Sequence, residues 1–152
     1  MMSEGSNQPI FVDTGAFYAR TDEDDKHHET AANLFSAIRT GDLPLHPIYT
    51  SQAVLSEFAT LALYKLEHET ATRALNMIRG ANSINIIPIG EATFEAAAKQ
   101  FETYEDQEIS FVDHTTSILA EELEIGHIFA FDSDFRTLDF RLIPADIEVP
   151  NS

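Results

Sequence analysis

The sequence predicts an α/β fold, a mainly parallel sheet with helices on both faces. Three observations predict it. Short β-type apolar runs alternate with helix-period segments along the whole chain. The runs are nearly continuous in apolar residues, as in strands buried on both faces. No repeat, low-complexity tract or shift in composition divides the 152 residues, a length that suits a single domain of about 100–200 residues.

Ile10-Phe11-Val12 reads as the first strand, stopped by Asp13-Thr14-Gly15, where a turn or helix begins. The acidic stretch Thr21 to Asp25 leads into a helix from about His27 to Arg39, with Ala31, Leu34, Phe35 and Ile38 on one face and Gly41 ending it. Leu45 to Tyr49 is the second strand. Thr50 or Ser51 caps a helix reaching about Leu66, with Val54, Leu55, Phe58, Leu61 and Ala62 as its apolar set. Another helix spans about Glu69 to Arg79. Isoleucine-rich Ser83 to Ile89 is the third strand, and Ala92 to Phe101 the helix after it. Ile109 to Glu124 forms a helix starting near Ser110, with Gly126 as its C-cap signal. His127 to Phe131 is the fourth strand and Phe140 to Ile143 the fifth, closed by Pro144. Residues 1–9 are expected to be a disordered extension, 10–146 the domain and 147–152 a loose tail.

Lys and Arg total 9 against 26 Asp and Glu, a formal charge of −17. Such a surface repels phosphate, so attraction to nucleic acid or anionic membrane cannot be a whole-surface property. The 43% hydrophobic content with 11 Phe excludes disorder of the whole chain. Without cysteine there is no disulfide, thiolate metal site or cysteine nucleophile. No leader-like segment opens the chain, and no apolar run approaches the roughly 18 residues of a membrane span, so a soluble cytoplasmic protein is expected. The acids are dispersed and lysine is scarce, a pattern of halophilic proteins; an acidic patch for a basic partner is the alternative.

In parallel α/β sheets, ligands bind beyond the carboxyl ends of the strands. Asp13 and Asp132 each follow a strand immediately, which places both on that edge, although an aspartate there also serves as a helix N-cap. Glu57 interrupts an apolar helix, with Ala53, Leu61 and Tyr64 on its face; a carboxylate facing a core needs a partner or a metal, unless that stripe is solvated. Asp113 falls in the first turn of its helix, where the helix dipole alone favours an acid, yet Thr116, Ser117 and Ala120 on its face are small and leave room for an ion. Four converging carboxylates require compensation, and Mg²⁺ or Mn²⁺ is the natural occupant. Activated water and charge neutralisation at a phosphodiester follow from such a site.

Phe11-Val12-Asp13-Thr14-Gly15-Ala16-Phe17, Ser51-Gln52-Ala53-Val54-Leu55-Ser56-Glu57, Ser110-Phe111-Val112-Asp113 and Phe131-Asp132-Ser133-Asp134-Phe135 together resemble the PIN domain in order and spacing, over about Ile10 to Pro144. In length and layout the chain looks like the stand-alone VapC-type toxins, ribonucleases that cut RNA with Mg²⁺ or Mn²⁺ and are neutralised by an antitoxin. The resemblance implies a three-layer α/β/α, Rossmann-like fold with a five-stranded parallel sheet, and a homodimer. It assigns Asp13, Glu57, Asp113 and Asp132 to metal binding and catalysis, with Asp134 as a secondary metal ligand, and Thr14 and Ser110 as hydroxyls that orient carboxylates or water. Thr14 and Ser110 can equally be plain N-caps.

His27 and His28 read as a solvated helix start, and His114 points away from Asp113 because successive helix residues lie roughly 100° apart. There is no candidate for a covalent nucleophile. Arg136 and Arg141 flank the last motif and are candidates for contact with substrate phosphates, or for pairing with the abundant acids. The expected function is therefore that of a metal-dependent endoribonuclease hydrolysing phosphodiester bonds of single-stranded RNA, the toxin of a VapBC-type toxin–antitoxin pair. A nuclease of rRNA or tRNA processing without an antitoxin is one alternative, and a catalytically silent binding module is another.

Overall fold

The structure is a computed structural model and describes residues 6–105 and 108–146. The 147–152 tail, and residues 1–5 of the extension expected over 1–9, lie outside the described residues. Twelve elements follow in order: β1 (Gln8–Val12), α1 (Thr14–Thr21), α2 (His28–Thr40), β2 (Leu45–Ser51), α3 (Gln52–Lys65), α4 (His68–Gly80), β3 (Ile84–Ile87), α5 (Glu91–Thr103), α6 (Phe111–Glu122), β4 (His127–Phe129), α7 (Asp134–Thr137) and β5 (Arg141–Ile143). All strand pairings are parallel and the sheet order is β3-β2-β1-β4-β5. This is the three-layer α/β/α architecture expected.

The order carries the functional consequence. From β1 the chain builds outward through β2 to β3, then returns to place β4 on the other side of β1. The reversal makes the β1/β4 boundary a topological switch point, where a crevice opens beyond the strand ends. Asp13 follows β1 there, and its N–H donates to the Phe129 carbonyl at the end of β4 (3.1 Å).

Several boundaries differ from the sequence reading for local reasons. β1 starts at Gln8, inside the expected extension, because Gln8 pairs with Leu45; the register shifts between Gln8 and Ile10, a bulge that accommodates Pro9 without its missing N–H. β3 stops at Ile87 because Pro88 cannot donate to the ladder. Gly126 is not the C-cap of α6: Glu124 takes the left-handed conformation (φ 56), and the N–H of Ile125 closes onto Ala120 (2.7 Å). Gly41 does end α2 in that conformation (φ 89), its N–H reaching Ala37 and Ile38. α1 had no defined extent in the sequence because Ala16, Phe17, Tyr18 and Ala19 are all buried, so no polar face marks its period.

Phe11, Phe17, Phe58, Phe129 and Phe135 are the largest fully buried side chains of the core. Phe17 meets Phe58 with ring centroids 6.0 Å apart, joining α1 to α3, and Phe35 meets Phe129 at 4.7 Å, joining α2 to β4. Between strands, Thr50 donates its hydroxyl to the Val12 carbonyl (2.9 Å), which leaves Ser51 as the cap of α3, accepting from the Val54 N–H (3.1 Å). The last residue of β1 and the first turn of α3 are thus tied together, and Glu57 lies one turn further along α3.

Candidate active site

Four elements deliver acids to the carboxyl edge of β1 and β4. Asp13 occupies the junction of β1 and α1 and is only 6% exposed. It stands at the N-cap of α1, yet its side chain makes no capping bond and its Oδ1 is buried without a hydrogen-bond partner. The capping role is therefore not what fixes this residue. Burial, aided by the negative charges of Glu57 and Asp132, pushes its carboxyl up to about 7 against the opposing pull of the Thr14 and Gly15 N–H groups.

Asp113 enters from the first turn of α6, 7% exposed. Ser110 caps that turn by accepting from the Asp113 N–H (3.1 Å), so its hydroxyl acts on the backbone that carries the acid. Burial, then the charges of Asp13, Asp132, Glu57 and Asp134, push the Asp113 carboxyl up to about 8. Helix-dipole stabilisation, the bland alternative for Asp113, would lower that value, and it is overcome.

Asp132 follows β4 and is exposed, and its Oδ1 accepts from the Asp134 N–H at the start of α7 (2.9 Å). Asp134 is raised by burial and by the adjacent Asp132. Each of Asp113, Asp132 and Asp134 offers an oxygen within 4.8 Å of the others. Asp134 thus stands inside the cluster and not at its margin. Glu57 is half-buried on α3, near enough for its charge to raise both Asp13 and Asp113.

The remaining predicted residues lie elsewhere or are otherwise engaged. Thr14 donates to the Val54 carbonyl at 3.5 Å, linking α1 to α3 and not orienting a carboxylate. Arg136 is paired with Asp146 (2.6 Å), so the abundant-acid alternative holds for it. Arg141 opens β5 and pairs in register with His127, at the amino edge of the sheet opposite the acids. Neither arginine is brought to the cluster. His114 is buried against Phe101 and Tyr104 and bonds Gln100 (2.7 Å), a core role.

Two features escaped the sequence. His27 stacks on Phe131, with centroids 4.2 Å apart and planes 2° from parallel, beside the residue that precedes Asp132. No periodicity links two residues so far apart in the chain. Thr116, which the sequence reading placed beside Asp113 only as a small residue, is fully buried on α6 with an unpartnered hydroxyl.

A cluster of acids with raised carboxyls, and no cluster acid in either ion pair of the described residues, lacks counter-charge. Its donors are all oxygen and one is an orphan, which fits a hard divalent cation. The sheet order and this acid edge define the class: the chain belongs to the PIN domain family, whose profile matches residues 10–141.

Among its relatives is the 23S rRNA-specific endonuclease VapC20 of Mycobacterium tuberculosis, 30% identical over 131 residues, which span 86% of this chain and 95% of that protein. The crystal structure of that VapC20, described as a sarcin–ricin loop cleaving toxin, superposes with a TM-score of 0.77 at 29% identity, covering 86% and 95% of the two chains. VapBC2 of Rickettsia felis, bound to a DNA fragment from its promoter, has the same fold, with a TM-score of 0.62 at 13% identity over 89% of this chain and 97% of that one.

Proposed function

We propose that this chain is a divalent-metal-dependent endoribonuclease, the toxin of a toxin–antitoxin pair. The observation that carries it is the convergence of Asp113, Asp132 and Asp134 within 4.8 Å, beside the unpartnered Oδ1 of Asp13. A cation here, Mg²⁺ or Mn²⁺, supplies Lewis-acid charge to a phosphodiester and makes a bound water more acidic. Asp113, Asp132 and Asp134, with Asp13 beside them, are the residues that would hold it. Glu57, half-buried on α3 and near enough for its charge to act on Asp13 and Asp113, would orient water at the site. Local positive charge also resolves the conflict between a −17 chain and an RNA substrate.

The relation to a 23S rRNA-specific endonuclease supports ribosomal RNA as substrate. Incubating the protein with intact ribosomes and with bare total RNA, in Mn²⁺ or EDTA, tests this. The expected result is one Mn²⁺-dependent cut in 23S rRNA. Uniform degradation of all RNA would overturn the substrate, and no cleavage in any metal would overturn the enzyme and favour a silent binding module.

The antitoxin is supported by a groove of about 1260 Å³ between α2, α4 and the β2–β3 edge. Arg20, Arg39 and Arg73 line it with Phe35, Met77 and Ile84, and none of its lining residues is acidic. The Arg20 guanidinium lies 4.4 Å from the centre of the Phe35 ring and makes no ion pair among the described residues. Such a groove suits an acidic segment with an apolar face from the antitoxin. Arg20→Glu with Arg39→Glu is expected to weaken antitoxin binding by tenfold or more in a titration, roughly the 1.4 kcal/mol per decade of lost charge complementarity; unchanged affinity would place the partner elsewhere.

A homodimer is part of this reading and is checked by light scattering. No helix among the described residues is long and apolar enough to cross a membrane; a cytoplasmic location is proposed on the toxin reading. The dispersed surface acids are read as adaptation to salt. Unfolding at low ionic strength that KCl reverses is expected, and indifference to KCl would favour the basic-partner alternative.

A further inference from the structure

Among the described residues, two buried side-chain atoms lack any hydrogen-bond partner: Oδ1 of Asp13 and Oγ1 of Thr116. One is an acceptor and the other a donor. Thr116 is 0% exposed and lies three residues after Asp113, on the same face of α6. Helical side chains lean toward the helix N-terminus, so the Thr116 side chain covers the turn that carries Asp113. The ordinary acceptor for a helical threonine is the carbonyl four residues back, here Val112, and that oxygen already takes the Thr115 hydroxyl at 2.6 Å. The Thr116 hydroxyl does not share that acceptor, and it is buried beside the turn that carries Asp113 with no partner.

Thr116 sits on the turn that carries Asp113, and Asp13 is close enough for its charge to act on Asp113. An unpaired buried donor and an unpaired buried acceptor are each destabilising, and one bridging water would satisfy both. We propose that Thr116 is a positioning residue of the acid cluster. Its hydroxyl donates to a water that spans to Oδ1 of Asp13, and this fixes the orientation in which that carboxylate meets the cation. Hydrogen-bond partners of this kind set the affinity of a metal site by about 10–100-fold. The inference rests on the metal reading of the acid cluster.

The test uses the full chain with Mn²⁺ alone as probe. Calorimetric titration at pH 8 is compared for wild type, Thr116→Val and Thr116→Ser, alongside the melting temperature of each in EDTA. Thr116→Val is expected to bind Mn²⁺ about 10–100-fold more weakly while melting in EDTA within about 5 °C of the wild-type temperature, because the side chain keeps its shape and only a water-mediated contact is lost. Thr116→Ser is expected to restore the affinity. Wild-type affinity in Thr116→Val would overturn the proposal, as would a Thr116→Ser variant no better than valine. A large loss of stability of Thr116→Val in EDTA would mean that the hydroxyl has a structural partner, and would overturn it too. No Mn²⁺ binding by wild type would instead overturn the metal reading on which the proposal rests.

Discussion

Asp113→Asn is expected to reduce RNA cleavage by on the order of 10²–10³-fold or more and, in EDTA at alkaline pH, to make the protein more stable. The two effects have one cause. Burial first, and then the charges of Asp13, Asp132, Glu57 and Asp134, hold the Asp113 carboxyl up at about 8. Without a cation, ionising it inside the fold is unfavourable, and the neutral amide of the same shape relieves that repulsion. With a cation, the charge that asparagine lacks is what binds. Cleavage assays paired with EDTA melts at pH 9 read both effects. A variant that is inactive and also destabilised at pH 9 would show that Asp113 is structural. Near pH 6 the gain in stability should shrink, because wild-type Asp113 is already protonated there.

A second large effect is the opposition between protons and metal. The folded carboxyls of Asp13 and Asp113 stand at about 7 and 8, above their ordinary 3.8. A carboxyl raised in the folded state binds its proton more tightly there than in the unfolded chain. Its contribution to stability is present below about pH 4 and is lost as pH rises through the folded value. In EDTA the melting temperature should therefore fall between about pH 4 and 8, by roughly 5–10 °C for a chain of this size. Affinity for Mn²⁺ should rise over the same window, because the cation must displace those protons, by up to about 100-fold per pH unit below pH 7 if both are released. Saturating Mn²⁺ should flatten the melting profile. The double variant Asp13→Asn, Asp113→Asn controls for the other acids and should lose both dependences. Mn²⁺ affinity independent of pH from 6 to 8 would contradict ionisation of these two residues on binding.

Much of this was legible in the sequence, because strands and amphipathic helices leave periodic traces and because β1 and β4 each run directly into an aspartate. The five strands and most helices could be placed to within a few residues. What was missed has physical reasons. α1 is buried along consecutive residues and has no polar face to betray its period. Gly126 looked like a helix cap, but Glu124 accepts the left-handed conformation two residues earlier. The candidate phosphate contacts failed for different reasons: Arg136 found Asp146 ten residues on, whereas Arg141 stands at the wrong end of a strand whose direction only the sheet order reveals. Asp134 is a secondary ligand on the resemblance alone, because that position does not always carry an acid in the family; the fold sets it within 4.8 Å of Asp113 and Asp132. Ser110 suits a plain cap as well as an orienting role, and its hydroxyl is engaged with the backbone. The groove behind α2 gathers arginines from α1, α2 and α4, a clustering invisible in a chain where they are 19 or more positions apart.

The acid edge itself is tested most directly by crystals grown or soaked in Mn²⁺ and measured at a wavelength where manganese scatters anomalously. A peak bound by Asp113 and Asp132, with the now unpartnered Oδ1 of Asp13 turned onto it or onto its water, is the expected result. Crystals that show no peak at this edge in saturating Mn²⁺ at pH 8, or manganese held only elsewhere on the surface, would contradict a metal-dependent mechanism built on these residues.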